Sequence, residues 1–187
     1  MDAEDASLLN AEAARVYMDG RPRETGQFDF IIGEWRTAVT RFGAGNAEPR
    51  SLGAWRARYL HEGRMILDEF HTYAPGGREV SYMATLRTFN PTAQQWEMTF
   101  LAAHQPQFLT RFQGHAIGGE MRLSGIAAES GAHVAVRFFD ITERSFEWED
   151  EISLDGGRTW RKQTRISAQR GGVGPGSADR SAAQPEP

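Results

Sequence analysis

From Phe28 to Ile166 apolar and polar residues alternate in short runs, rich in aromatic and β-branched side chains and broken by glycine, asparagine and proline. That pattern marks successive β-hairpins, whose register must bring the apolar residues of both strands onto one face. Around Asn90-Pro91-Thr92, pairing Leu86 with Met98 and Ala84 with Phe100 puts Val80, Tyr82, Trp96, Ala102 and His104 on one side. The other side then sets Arg87 against Glu97 and Thr85 against Thr99, as a solvated face should. Around Thr142-Glu143-Arg144, Phe138 meets Trp148, Val134 meets Ile152, and Arg137 faces Glu149 outside. Around Asp155-Gly156-Gly157, Trp148 meets Thr164 and Ile152 meets Trp160, while Glu147 and Glu151 face Arg165 and Arg161. Gly118-Gly119 makes a two-residue turn that aligns Phe108, Thr110 and Phe112 with Met121 and Leu123. A turn at Glu62-Gly63 puts Trp55, Tyr59, Ile66, Asp68 and Phe70 on one face, with Arg56, Arg58, Glu69 and His71 on the other; Leu60, Met65 and Leu67 on that second face weigh against it. About eight to ten such strands form an all-β, antiparallel up-and-down meander, which hides its edges by closing into a barrel. A two-sheet sandwich is the alternative.

The flanks read differently. Asn10 to Gly20 has an N-cap residue, good helix formers and a terminating glycine, with Leu9, Ala13, Val16 and Tyr17 on one stripe, so a short amphipathic helix is expected. From Ala168 the composition turns to Gly, Ser, Ala, Pro and Gln, which buries too little to stay ordered. The expected division is a helix and lead-in over 1–27, a barrel over 28–168 and a disordered tail over 169–187.

Composition narrows the function classes. At 187 residues, with 40% hydrophobic and 25% charged residues, the chain suits one globular domain. A net charge of -4 offers no general attraction for a phosphate backbone, so nucleic acid is not an expected partner. No run approaches the length of a membrane helix, and the first residues are acidic where a signal peptide is basic, so a cytoplasmic protein without membrane contact is expected. The absence of cysteine removes disulfides and thiolate ligands and fits a reducing compartment. Oligomeric state is left open.

Phe28-Asp29-Phe30-Ile31-Ile32-Gly33-Glu34-Trp35 resembles the opening of a bacterial family of uncharacterised lipocalin-like domains. Leu67-Asp68-Glu69-Phe70, Phe89-Asn90-Pro91 followed by Trp96, and Asp155-Gly156-Gly157-Arg158-Thr159-Trp160 resemble its later landmarks in order. Gly33-x-Trp35 is also similar to the first-strand signature of lipocalins, whose tryptophan plugs one barrel end. The resemblance implies a calycin-type barrel from about Phe28 to Ile166 and no particular reaction. Ser153 to Trp160 also resembles the Asp-box of sialidases, which is a hairpin-folding device; one copy without a blade repeat does not point to a glycosidase.

The carboxylates Glu147, Glu149 and Glu151 are accounted for by arginines across the derived registers. Asp150 and Lys162, the single lysine, fall opposite each other on the apolar face beside Trp148 and Trp160. They read either as a self-neutralising buried pair or as cavity groups with shifted pKa. His104 and Asp68 also fall inside, and with Tyr59 and Tyr82 they form a polar minority in an apolar pocket. The five histidines show no metal-ligand spacing, so no metal is expected, and no nucleotide loop or nucleophile elbow is present, so no cofactor is expected. A one-histidine haem pocket on His71 or His104 stays open.

The leading expectation is a barrel that binds a small hydrophobic or amphipathic molecule, lined or packed by Trp55, Tyr59, Tyr82, Trp96, Phe100, Phe112 and Trp148. The alternative is a cofactor-free cyclase, isomerase or hydratase using Asp68, His104, Asp150 or Lys162 as acid or base.

Overall fold

The computed structural model describes residues 20–43, 46–47, 50–102, 105–127 and 130–171, with backbone alone at 46–47 and 105–109. The expected helix up to its final glycine, the tail from 172 onward and His104 lie outside these residues. A 3-10 helix, η1 (Arg23–Ile31), leads into strands β1 (Gly33–Gly43), β2 (Asn46–Ala47), β3 (Ser51–Leu60), β4 (Met65–Tyr73), β5 (Glu79–Asn90) and β6 (Gln95–Ala102). Strands β7 (Gln105–Ile117), β8 (Glu120–Ile126), β9 (His133–Phe139), β10 (Ser145–Ser153) and β11 (Arg161–Arg170) complete the sheet, and a single 3-10 turn at His61–Gly63 joins β3 to β4.

Each long strand pairs antiparallel with its sequence neighbours, and β11 pairs back onto β1, so ten strands close an up-and-down barrel; the two-residue β2 pairs only with the end of β1. Closure leaves no long unpaired edge, which settles the choice between barrel and sandwich.

Three expected registers stand. Trp148 pairs with Phe138 and Glu149 with Arg137. Trp55 pairs with Phe70 and Tyr59 with Ile66. Gly118 and Gly119, both at positive φ (60° and 83°), make the two-residue turn between Ile117 and Glu120. A turn of this kind needs both central residues in the left-handed region, which glycine enters without strain.

Two registers differ. In β5–β6 the loop holds four residues, Pro91 to Gln94, where a three-residue loop was expected, so Arg87 pairs with Met98 and Thr85 with Phe100. The Asn90 side chain fixes this loop by accepting from the backbone N–H of Thr92 and Ala93, and Gln94 takes a positive φ of 53°. One extra loop residue turns the whole of β5 over. Arg87 and Thr85 therefore face inward, and Tyr82 and Leu86 outward. In β10–β11 the strand begins only at Arg161, because Leu154 to Trp160 form a wide loop. Trp148 then pairs with Ile166 and Asp150 with Thr164, and a bulge between Asp150 and Glu151 sets Lys162 across from Glu151. The expected Asp150–Lys162 pair does not form.

The wide loop has its own scaffold. Asp155 accepts hydrogen bonds from the Ser153 and Thr159 hydroxyls and from the backbone N–H of Arg158 and Thr159, while Ser153 Oγ accepts from Gly157 N–H. These bonds hold the Asp155 carboxyl well below the usual range, with the Thr159 hydroxyl contributing most. The Asp-box resemblance thus corresponds to a loop brace.

One end of the barrel is sealed by η1, where a strand was expected to begin. Thr25, Phe28 and Ile31 recur every third residue, the spacing that stacks side chains on one side of a 3-10 helix, and all three are fully buried. Phe28 meets Trp96 edge-on at 4.7 Å and Phe138 at 5.5 Å. Trp35 donates from Nε1 to the Ile31 carbonyl (2.7 Å) and packs on Phe146. Arg170, at the end of β11, lies 4.2 Å over the Trp35 ring and donates to the carbonyls of Phe30, Ile32 and Glu143. Gly33 sits at φ 119°, and a Cβ there would come within 2.8 Å of Arg170 Nη1, so a side chain would displace this clasp.

Candidate functional site

Among the described residues η1 fills one end, and the other end is where β1, β4, β6, β8 and β10 finish and β3, β5, β7, β9 and β11 begin. Inside that other end lies a cavity of about 390 Å³. Its walls are mainly apolar, with Trp55, Phe70, Met83, Phe100, Phe112 and Trp148 contributing the largest surfaces. Arg41, Thr72, Ser81, Ile152 and Gln163 line it from the open halves of their strands, so the cavity sits on the open side of the plug.

Two polar groupings face this space. The deeper one is Asp68 with Arg87. Both side chains are 1% exposed, and Arg87 Nε donates to Asp68 Oδ2 at 2.7 Å. Trp55 Nε1 donates to the other oxygen, Oδ1, at 2.9 Å. The guanidinium also reaches Met98 Sδ and lies 5.0 Å from the Phe28 ring and 5.2 Å from the Phe138 ring, so it is held on every side. Each charge satisfies the other, as a buried ion must.

The shallower grouping is Asp150 with Gln163 and Thr164. Gln163 Nε2 donates to Asp150 Oδ2 at 3.3 Å, whereas Oδ1 is buried and has no partner. Burial pushes the Asp150 carboxyl up to about 6, against hydrogen bonds from Thr164 and Gln163 that pull the other way. Thr72 Oγ1, also on the cavity wall, is likewise buried without a partner.

The other residues singled out from the sequence divide between the two ends and the outer face. Trp55, Phe100, Phe112, Trp148, Asp68 and Asp150 meet in the cavity wall. Trp96 is fully buried but belongs to the plug, where its Nε1 donates to Gln27 Oε1. Tyr59 is at the same end, hydrogen-bonded to Asp29 and Arg21. Tyr82 stands on the outer face and donates to Glu69. Lys162 also lies outside, donating to Glu149 Oε2 at 2.9 Å beside Arg137. Burial raises the Glu149 carboxyl, but the hydrogen bonds and charges of Lys162 and Arg137 more than offset this and hold it below its ordinary value. Arg87 is the site residue that sequence patterning missed. A partner demanded for an inward Asp68 is the signal that identifies it, since Thr85 lies directly across from Asp68 and Arg87 is the next inward position on β5.

Among the described residues no three His, Asp or Glu side chains converge as a metal site would require, and no helix is long and apolar enough to cross a membrane.

No family model and no curated protein matches the chain. Solved structures do. Rv2717c from M. tuberculosis superimposes with a TM-score of 0.58 at 10% identity, over 81% of this chain and 99% of that one. The S-type phycobiliprotein lyase CPES from Guillardia theta gives 0.56 at 9% identity, over 82% and 99%. At such identities the likeness shows the fold alone, and that fold is the lipocalin-like, calycin type of closed antiparallel barrel.

Proposed function

We propose that the protein binds a small, largely apolar molecule inside the barrel. The observation that carries this reading is the cavity itself: an aromatic-walled space of about 390 Å³, closed at one end by a packed plug, with a small number of polar groups in its wall. Binding sites for small molecules combine these features, and the volume lies within their range of roughly 300–1,000 Å³. The aromatic walls supply affinity in proportion to the apolar area they cover, at about 25 cal/mol per Å². The similar fold of the protein named a phycobiliprotein lyase supports the reading, as a barrel of the same kind. The ordered motifs from Phe28 to Trp160 support placing the chain with the uncharacterised bacterial lipocalin-like domains, and the lack of cysteine supports a cytoplasmic setting.

Binding is favoured over catalysis by what became of the acid–base candidates. Asp68 has a partner on each oxygen, and Lys162 is outside the barrel. Of the three that fall among the described residues, only Asp150 faces the cavity with an oxygen free.

Calorimetric titration with 2-naphthylmethanol, a neutral aromatic alcohol, tests the reading together with native mass spectrometry of freshly purified protein. Saturable one-to-one binding that is lost in Thr85→Phe, which fills the cavity, is the expected result. Absence of binding, or binding unchanged by the filled cavity, would overturn it.

A further inference from the structure

The two carboxylates in the cavity wall differ in one respect that bears on the ligand. Asp68 has Arg87 as its counter-charge, whereas Asp150 has none among the described residues. Its surroundings can be taken strand by strand. On β9 its neighbour across the pair is Val136, and on β11 it is Thr164, with Gln163 next to it. One strand further, Arg41 of β1 pairs with Thr164 and lines the cavity rim without an ion pair to Asp150. Across the cavity the charged groups are Asp68 and Arg87, already joined. The bulge after Asp150 turns Lys162 out to Glu149, and Glu151 is also on the outer side. The cavity wall thus carries two carboxylates and two guanidiniums; Asp68 and Arg87 are joined, whereas Asp150, beside the indole of Trp148, and the exposed rim residue Arg41 are not paired with each other.

We infer that the molecule taken into the cavity is an amphipathic amine, its ammonium group held by Asp150 and its apolar body by Trp148, Phe100 and Phe112. This rests on the cavity-binding reading above and adds the chemical class of the ligand. An ammonium group donates to the oxygen that has no protein partner and provides the missing counter-charge, which a buried carboxylate requires. A carboxylic acid is opposed beside Asp150, which is itself acidic, and the deep guanidinium is already bound on Nε by Asp68, which leaves the exposed Arg41 at the rim as the cation such a ligand would meet. A neutral alcohol enters on apolar contact alone.

The test is a matched set of ligands on one ring system: 2-naphthylmethylamine, 2-naphthylmethanol and 2-naphthoic acid, titrated calorimetrically into the full chain at about pH 7.5 and about pH 5, on either side of the Asp150 titration. The amine should bind about tenfold or more tightly than the alcohol at the higher pH, the scale of one buried charge-assisted hydrogen bond, and the acid most weakly. At the lower pH the protonated Asp150 should lose most of that preference. In Asp150→Asn the amine should fall to the level of the alcohol, whose own affinity should stay within about twofold. Equal binding of amine and alcohol by the native chain would overturn the inference while leaving the cavity reading intact, as would a preference that survives in Asp150→Asn. Should none of the three bind, both readings fall. If Asp150→Asn does not fold, the native chain decides: a preference that persists undiminished at the lower pH contradicts the role of Asp150.

Discussion

The sealed end of the barrel and its open half are built from the same strands but differ in what surrounds their polar groups, packed side chains in one and a cavity in the other. At the sealed end Trp35 is bonded to Ile31, Trp96 to Gln27, Arg170 to three carbonyls and, just above them, Asp68 to Trp55 and Arg87. The unpartnered Thr25 hydroxyl of the plug is packed within it. In the open half Asp150 Oδ1 and Thr72 Oγ1 are buried and unpartnered around a cavity. Interlocked rings and close packing give one rigid arrangement, whereas unsatisfied groups beside a void leave interactions for a guest to complete. The barrel thus separates a half that holds the fold from a half that can bind.

That separation can be broken at its strongest point first. Asp68→Ala removes the partner of a fully buried guanidinium and should destabilise the protein by about 3–5 kcal/mol in urea unfolding, whether or not ligand is present. Phe28→Ala should cost about 3–4 kcal/mol, because it empties the centre of the plug, and an unchanged unfolding midpoint would show that η1 does not seal the barrel.

The open half should behave in the opposite sense. Asp150 has a folded-state pKa raised to about 6, so as pH rises the unfolded chain gives up its proton first and stability is lost between about pH 4 and pH 6. Asp150→Asn should therefore stabilise the free protein by up to about 3 kcal/mol at pH 8 and by almost nothing below pH 4, measured as unfolding midpoints across that range. The smallest effect belongs to the outer face. Lys162→Met should change stability by about 0.5 kcal/mol or less, since its side chain is 43% exposed and Glu149 keeps Arg137.

Much of the barrel was legible because its turns announce themselves. Gly118-Gly119 admits one register, and the alternation of Phe138, Val136 and Val134 against Trp148, Asp150 and Ile152 admits one face. Strand β5 was ambiguous for a physical reason. Tyr82, Ala84 and Leu86 make one acceptable inner face, and Met83, Thr85, Arg87 and Phe89 make another that costs a buried arginine. Polarity alone selects the first, and the second wins because Asp68 on the neighbouring strand needs a cation. Lys162 was misplaced by a bulge, a one-residue irregularity that no period-two pattern contains. The 3-10 plug was hidden because the alternation Phe28, Phe30, Ile32 also fits the start of a strand. The aromatic cavity residues Trp55, Phe100, Phe112 and Trp148 were legible from alternation, whereas the deep ion pair emerged only from packing.

A guest should enter the open half and leave the sealed half undisturbed, and amide chemical-shift mapping during titration with 2-naphthylmethanol tests this directly. Saturable shifts centred on Phe70, Phe100, Phe112 and Trp148, with Phe28, Trp35 and Trp96 unmoved, are the predicted result. Shifts confined to the outer strand faces, or spread equally over the η1 end, would contradict it.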